Sequence, residues 1–348
     1  MNPYVLATLL SSLGLGTTLT FAGSHWLLAW MGLEINTLAI IPLMTQHHHP
    51  RSVEAATKYF LTQATAAALI LFASTTNAWL TGTWYIDNMS DSFAATMIIA
   101  ALALKIGLAP MHFWMPEVMQ GLDLLTGLIL STWQKLAPLA LLIQVAPAID
   151  PLLLTAFGLT STLVGGWGGL NQTQLRKVLA YSSIAHMGWM IIILQYAPHL
   201  TLLALLTYIF MTSAAFLTLK SMSATKISTL ATTWSKNPVL VTTTALVLLS
   251  LGGLPPLTGF MPKLLVLQEL AKQDLPLTAT IMALAALLSL YFYLRLCYAM
   301  ALTIAPNTLN STTPWRAQVT QISLPLALST TVALALLPVT PTILTLIS

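Results

Sequence analysis

Long apolar runs, separated by short polar loops, dominate the hydrophobic pattern of this chain. A helix needs about 20 apolar residues to cross a bilayer, and eleven runs approach or exceed that length. They are about 4–22, 25–45, 57–81, 93–117, 122–147, 150–169, 178–197, 200–220, 239–270, 275–300 and 322–346. The pattern therefore predicts an all-α membrane protein with about eleven transmembrane helices.

Two of these runs, 93–117 and 239–270, are long and interrupted by prolines. Proline removes a backbone donor and breaks the helical hydrogen-bond ladder. Broken backbone at membrane depth is tolerated only where it is buried in protein or lines a wet cavity. We therefore expect two broken helices, each placed beside a site inside the helix bundle.

The two interrupted runs also resemble each other. Leucine, proline, methionine and proline recur at the same relative positions, with an offset of 146 residues, at Leu108, Pro110, Met115, Pro116 and at Leu254, Pro256, Met261, Pro262. That offset contains five predicted helices, and an odd number of crossings gives two units opposite orientations. Interrupted helices at matching positions of inverted repeats point to an ion site. The prediction is one transmembrane domain, 1–348, with inverted five-helix units 1–147 and 150–300 and a C-terminal helix 322–346.

Charged residues in the loops divide into two sets. Loops after the even-numbered runs hold Arg51, Lys58, Arg176, Lys177, Lys220, Lys226, Lys236 and Arg316. Loops after the odd-numbered runs hold Asp87, Asp91, Asp150, Asp274 and one basic residue, Lys272. Because basic loops stay on the inner side of a membrane, we expect the N-terminus on the inner side and the C-terminus on the outer side.

Composition excludes several classes of protein. The chain is 57% hydrophobic and 6% charged, whereas soluble domains carry roughly a quarter charged residues. Its net charge of +4 is spread over loops, so it reflects topology and not nucleic-acid binding. A single cysteine, Cys297, permits neither a disulfide framework nor a cysteine metal site. The histidines at 47–49 are a poor metal site, because consecutive residues cannot all face one ion.

Most charged residues lie in loops or near the ends of the apolar runs, but four do not: Glu34, Lys105, Lys135 and Lys263. A charge at bilayer depth is costly and normally faces protein, water or a partner. Lys105 is about twelve residues from either end of its run, or roughly 18 Å along a helix, which is beyond the reach of a lysine side chain. The alternative for each residue is a snorkelling or packed structural charge.

One carboxylate among three lysines suggests an ion pair with a proton relay. Desolvation favours the neutral form of an amine, so a buried lysine could gain and lose a proton near neutral pH. Each site must respond to its neighbour's protonation, which makes coupling between sites essential. His112 and His186 could bridge lysines as neutral donor-acceptors. The alternative for each histidine is a hydrogen-bonded structural role.

Five segments carry a resemblance to a known family. They are WMGLEIN at 30–36, EAATKYF at 54–60, KIGLAPMHFW at 105–114, YSSIAHMG at 181–188 and GLPPLTGF at 253–260. With them, the chain resembles, essentially end to end, the mitochondrially encoded antiporter-like subunits of respiratory complex I. The resemblance implies that Glu34 and Lys105 form a coupling pair for proton pumping. Lys135 and Lys263 would continue the hydrophilic axis, with His112 and His186 near it.

The resemblance also implies a place in the cell and a set of partners. The chain would lie in the mitochondrial inner membrane among other membrane-arm subunits, especially chains 4 and 4L, with accessory subunits and lipids such as cardiolipin. NADH, flavin, iron–sulfur clusters and ubiquinone would be bound by other subunits, because no dinucleotide fingerprint or cysteine cluster occurs here. Compared with bacterial members of the family, the resemblance implies fewer helices at the N-terminal end, since eleven runs are predicted here.

Two alternative functions remain open from the sequence. An Mrp-type cation/proton antiporter subunit would share the relay chemistry and need no redox partner. A structural spacer would use the buried charges only to lock the packing of its helices.

Overall fold

The computed structural model describes residues 2–46, 48–89, 91–235, 237–302 and 323–347. Within these ranges the chain is helical and forms no sheet, apart from two isolated bridges. The α-helices are α1 (Pro3–Ala22), α2 (Trp26–Met44), α3 (Pro50–Thr81), α4 (Ser92–Ile106), α5 (Trp114–Gly121), α6 (Leu124–Ser131), α7 (Trp133–Val145), α8 (Pro151–Gly168), α9 (Leu175–Leu194), α10 (Pro198–Ser221), α11 (Ile227–Ala231), α12 (Pro238–Gly252), α13 (Phe260–Lys272), α14 (Pro276–Cys297), α15 (Ser323–Ala335) and α16 (Thr340–Ile347). His47, Lys236 and Arg316, which were considered above, lie outside the described residues.

Each of the eleven predicted runs contains at least one of these helices, so the all-α prediction is confirmed. Seven helical segments are long and apolar enough to cross a membrane, or eight when the bent pair Leu324–Ala335 and Leu337–Leu346 is taken as one span. The number of eleven crossings stays a prediction, because several predicted spans are built from shorter helices.

The two predicted breaks are present. The first separates α4 from α5, and the second separates α12 from α13. Gly107 and Gly253 follow α4 and α12 with φ angles of 84° and 83°. Glycine adopts this left-handed conformation without the strain that a Cβ atom causes. A glycine therefore ends each helix before the prolines of the break.

The helix bounds extend the internal repeat. Both α4 and α12 have 15 residues, and α12 starts 146 residues after α4. The same offset separates the first residues of α5 and α13. The repeat detected from four matched residues thus extends to the positions at which the helices begin.

The chain divides into two compact units, Met1–Thr160 and Ser161–Ser348. In the first unit, α1 packs along α2, α3 contacts α4 and α5, and α7 contacts α1, α2 and α4. In the second unit, α10 contacts α9, α12, α13 and α15, while α14 packs against α12 and α13. The first arrangement places α7, which carries Lys135, against both α2 and α4, which carry Glu34 and Lys105.

Candidate functional site

Lys105 lies in the last turn of α4, one turn before the break. Its side chain is buried, and Nζ has no hydrogen-bond partner among the described residues. The backbone N–H groups of Gly107 and Leu108 both donate to Ala103 O at 2.9 Å, which satisfies one helix-terminal carbonyl. Trp114 Nε1 donates to Leu104 O at 2.9 Å across the break. These hydrogen bonds stabilise the break, and Lys105 lies directly before it.

Lys135 lies in the first turn of α7 and is also buried. The predicted single run 122–147 is divided here into α6 and α7 at Thr132, whose backbone has φ −111° and ψ −68°. Gln134 Nε2 donates to Asn36 O at 3.3 Å, and Trp133 Nε1 donates to Leu13 O at 3.4 Å. These bonds hold the start of α7 against α2 and α1.

Lys105 and Lys135 line one internal cavity of the first unit. The cavity is small. The volume in which the centre of a water molecule fits is about 10 Å³, which is close to the minimum needed to hold one water. Its polar lining consists of Asn36, Thr37, Tyr59, Gln63, Lys105, Gln134 and Lys135. The structure therefore brings two of the predicted lysines to a common polar pocket.

Glu34 belongs to the same neighbourhood. Its carboxylate interacts electrostatically with Lys105 and with Tyr59, and Oε2 is buried without a hydrogen-bond partner among the described residues. Glu34 and Lys105 are not in hydrogen-bond contact, since Lys105 Nζ also has no partner there. The two residues form a separated charge pair beside the cavity.

Several polar atoms in the cavity wall have no hydrogen-bond partner among the described residues. These atoms are Asn36 Oδ1, Asn36 Nδ2, Gln63 Nε2 and Lys105 Nζ. Most buried polar atoms in folded proteins have a hydrogen-bond partner, so such a cluster around one cavity marks a chemical site. Its groups can bind a small hydrogen-bonding species between the lysines.

His112 lies in the break between α4 and α5 and is buried. Its carbonyl accepts from Met115 N at 3.0 Å, and its ring is 4.4 Å from that of Phe113. The ring also interacts with the backbone of Pro110. His112 is not among the residues lining the cavity of Lys105 and Lys135.

Lys263 lies in the first turns of α13, after the second break. Its Nζ donates to Gly252 O at 2.8 Å, and its side chain passes beside the backbone of Gly253. It therefore caps the C-terminal end of α12, where a cation is favoured by the helix dipole. Lys263 is partly buried, in contrast to the full burial of Lys105 and Lys135.

His186 lies in the middle of α9 in the second unit. Its Nδ1 is 2.7 Å from Ser182 O, and its ring is 5.5 Å from that of Tyr208. Tyr208 and Tyr293 are fully buried, and their side chains interact with those of Ser183 and Ser182, respectively. His186 is thus part of a buried cluster of tyrosine and serine side chains.

Sequence reasoning assigned no role to several residues of these sites: Asn36, Tyr59, Gln63, Gln134, Tyr208 and Tyr293. A signal existed for some of them. Asn36 and Tyr59 stand inside two of the segments that carry the family resemblance, and Gln63 and Gln134 are amides within apolar runs. Nothing local distinguishes Tyr208 or Tyr293 from tyrosines at a membrane interface.

Among the described residues, no three His, Cys, Asp or Glu side chains come together as a metal site. Cys297 is buried, and its Sγ is 3.5 Å from Ala245 O.

Two family patterns match the chain in sequence. Residues 23–289 match the family described as NADH:quinone oxidoreductase/Mrp antiporter, TM. Residues 290–344 match the NADH dehydrogenase subunit 2 C-terminus. Together these matches cover nearly the whole chain.

Curated relatives are similar over their full length. The NADH-ubiquinone oxidoreductase chain 2 of Carassius auratus is 81% identical over 346 residues, which is 99% of each chain. The protein of the same name from Danio rerio is 73% identical, over 99% of each chain.

Solved structures share the fold. A chain of respiratory complex I from Thermus thermophilus superposes with a TM-score of 0.86 at 29% identity, over 99% of this chain and 80% of that one. A chain of the Mrp complex from Dietzia has a TM-score of 0.85 at 15% identity, over 97% of this chain and 76% of that one. The second likeness is one of fold alone.

Proposed function

The chain belongs to the NADH-ubiquinone oxidoreductase chain 2 family, and from that membership we propose how its buried charges take part in proton translocation. Members of this family are antiporter-like, proton-translocating subunits of complex I, in the inner membrane of mitochondria. The observation that carries the proposal is the cavity shared by Lys105 and Lys135, with Glu34 acting on Lys105 from beside it.

Glu34 and Lys105 form the coupling pair of this proposal. Their separation leaves the interaction adjustable, because a small movement changes a Coulomb energy strongly in a low-dielectric interior. When Glu34 attracts Lys105, the ammonium form is favoured. When that attraction weakens, the desolvated amine releases its proton.

Lys135 receives that proton through the shared cavity. The amides of Asn36, Gln63 and Gln134 can donate or accept hydrogen bonds, so they suit a water that passes a proton between two amines. His112 and His186 are bridges of the relay in this proposal. The burial of both histidines supports that role.

Lys263 extends the relay in the second unit. Its ammonium is bound to Gly252 O, and release of that bond would accompany a change of protonation. We also propose that residues 1–147 and 150–300 are inverted repeats. The common offset of 146 residues between α4 and α12 and between α5 and α13 supports this.

The test uses the assembled complex reconstituted in vesicles. Lys105→Met and Glu34→Gln keep the side-chain volume but remove the charge. We expect each variant to lower proton-coupled NADH:ubiquinone turnover several-fold, per assembled complex. The measurements are the turnover rate and the number of protons moved per electron pair.

Lys272→Met is the matched control. Lys272 is an exposed lysine, paired only with Glu269 at 3.1 Å among the described residues, so its loss should leave both quantities unchanged. If Lys105→Met and Glu34→Gln complexes assemble and pump at the unaltered rate and ratio, the relay assignment is wrong.

Two other functions give different results in the same experiment. A structural spacer predicts poor assembly but normal turnover in the complexes that do form. An Mrp-type cation/proton antiporter subunit, favoured by the shared fold and by the family match over residues 23–289, predicts sodium-dependent transport without electron transfer.

The partners and cofactors follow from membership in the complex. We propose that chains 4 and 4L are neighbours of this chain, that accessory subunits and lipids such as cardiolipin cover other surfaces, and that NADH, flavin, iron–sulfur clusters and ubiquinone are bound by other subunits. Native mass spectrometry of the membrane arm would show these contacts. Loss of a bound cofactor on removal of this chain alone would contradict the last point.

A further inference from the structure

An open cavity lies where α3 ends and α4 begins, away from the buried lysines. Its volume is about 440 Å³, and it is lined by Thr75, Thr76, Trp79, Leu80, Asp91 and Phe93. Binding sites for small molecules typically have volumes of a few hundred cubic ångströms. The cavity is large enough for the headgroup of a lipid.

Its two aromatic side chains are largely exposed. Trp79 is 89% exposed and Phe93 is 57% exposed. Both lie within a few residues of helix ends, since α3 ends at Thr81 and α4 begins at Ser92. Tryptophan is enriched at this depth, at the boundary between the headgroups and the hydrocarbon.

The oxygen atoms of the cavity are acceptors. Thr75 and Thr76 donate their hydroxyl protons to Phe72 O and Ala73 O of their own helix, at 2.7 and 2.9 Å. No donor in the part of the chain that the structure describes bonds to these two hydroxyl oxygens. Asp91 Oδ2 accepts from Ala94 N at 3.1 Å as the N-cap of α4, and an ionised carboxylate has further acceptor capacity.

The local charge is negative. The connection 82–91 contains Asp87 and Asp91 and no basic residue. Lys58, on the same helix as Trp79, is 21 residues away, or about 30 Å along the axis. Acceptor oxygens beside a carboxylate therefore favour a cationic donor and disfavour an anionic lipid.

We propose that this cavity binds the primary ammonium headgroup of a zwitterionic phospholipid, phosphatidylethanolamine. The ammonium donates to Asp91 and to the threonine oxygens, while Trp79 and Phe93 offer aromatic faces to the cation. The indole N–H of Trp79 is a donor suited to the lipid phosphate. A choline headgroup has no N–H to donate, so it fits this set of acceptors less well.

The test is photolabelling of the assembled complex in vesicles that contain a photoactivatable phosphatidylethanolamine. We expect labelling of the segment 75–93. Asp91→Asn keeps an N-cap residue of equal strength but removes the charge, and should lower labelling several-fold. Trp79→Ala should lower it as well.

Asp87→Asn is the matched control, because it removes a carboxylate from the same connection at a residue that does not line the cavity. Its labelling should equal that of the unaltered complex. A phosphatidylcholine probe should label less, and a cardiolipin probe least.

Three results would overturn the proposal. They are equal labelling of the Asp91→Asn complex, stronger labelling by the cardiolipin probe, and cross-linking of segment 75–93 in the unaltered complex to another subunit without lipid. Blue-native electrophoresis of each variant establishes that the labelled complex is fully assembled.

Discussion

Two lysines stand at equivalent breaks but have different surroundings. Lys105 precedes its break, and its Nζ meets no hydrogen-bond acceptor among the described residues. Lys263 follows its break and binds the last carbonyl of α12. The first therefore lacks an anchor of this kind, whereas the second is anchored to a helix end.

The anchoring of Lys263 has a measurable energy. Lys263→Met removes a charged hydrogen bond and leaves Gly252 O without it, which should cost about 1–3 kcal/mol. Lys272→Met removes an exposed i,i+3 pair and should cost at most about 0.5 kcal/mol. Thermal unfolding of this chain in the assembled complex measures the difference, and equal effects would argue against the cap.

At the residue scale, the sequence predicted the buried cations but not their surroundings. Lys105 and Lys135 were recognisable because a charge in an apolar run is rare, and their burial is confirmed. Tyr59, Gln63 and Tyr208 carry no charge, and uncharged polar residues also occur at membrane interfaces and in helix packing, so their presence in an apolar run predicts no role. Their role depends on neighbours from other helices, which a linear pattern does not specify.

At the element scale, α1 and α2 approach each other through glycine. A Cβ atom at Gly32 would lie 2.6 Å from Gly16 O and 2.7 Å from Thr20 Cγ2. A Cβ atom at Gly16 would collide with the amide of Asn36, which lines the cavity. Close packing of these two helices therefore also positions part of the site.

Gly32→Ala tests this contact. The added methyl should push the helices apart and destabilise the chain by about 1–3 kcal/mol. Gly14→Ala in α1 is the control, because a Cβ atom there meets nothing within 4 Å. It should be neutral, or stabilising by up to about 1 kcal/mol. Proteolysis of the assembled complex at increasing temperature compares the two, and equal sensitivity would contradict the proposed close contact.

Helix breaks differed in how well the sequence revealed them. Prolines predicted the breaks after α4 and α12, and glycine fixed their positions at Gly107 and Gly253. The break between α6 and α7 falls at Thr132 and not at a proline, and it was not predicted. It arises where Trp133 and Gln134 bond to carbonyls of other helices, so tertiary contacts decide it.

At the scale of the whole molecule, the offset of 146 residues relates α4 to α12 and α5 to α13. The proposed inversion of 1–147 relative to 150–300 requires that each broken helix crosses the membrane once. Neither α12 nor α13 is among the described helical segments long enough to cross alone, so a crossing at the second break requires both helices. The distribution of charged loops supports a crossing.

Labelling of three lysines distinguishes whether α12 and α13 together cross the membrane or form a re-entrant pair. Lys220 and Lys226 precede α12, Lys272 ends α13, and all three are exposed. If α12 and α13 together cross the membrane, an impermeant amine reagent should label Lys272 in mitoplasts, and Lys220 and Lys226 only in inverted vesicles. Eleven crossings and an N-terminus on the matrix side require this result. Labelling of all three lysines from one side would show that α12 and α13 form a re-entrant pair. Residues 1–147 and 150–300 would then not be inverted repeats.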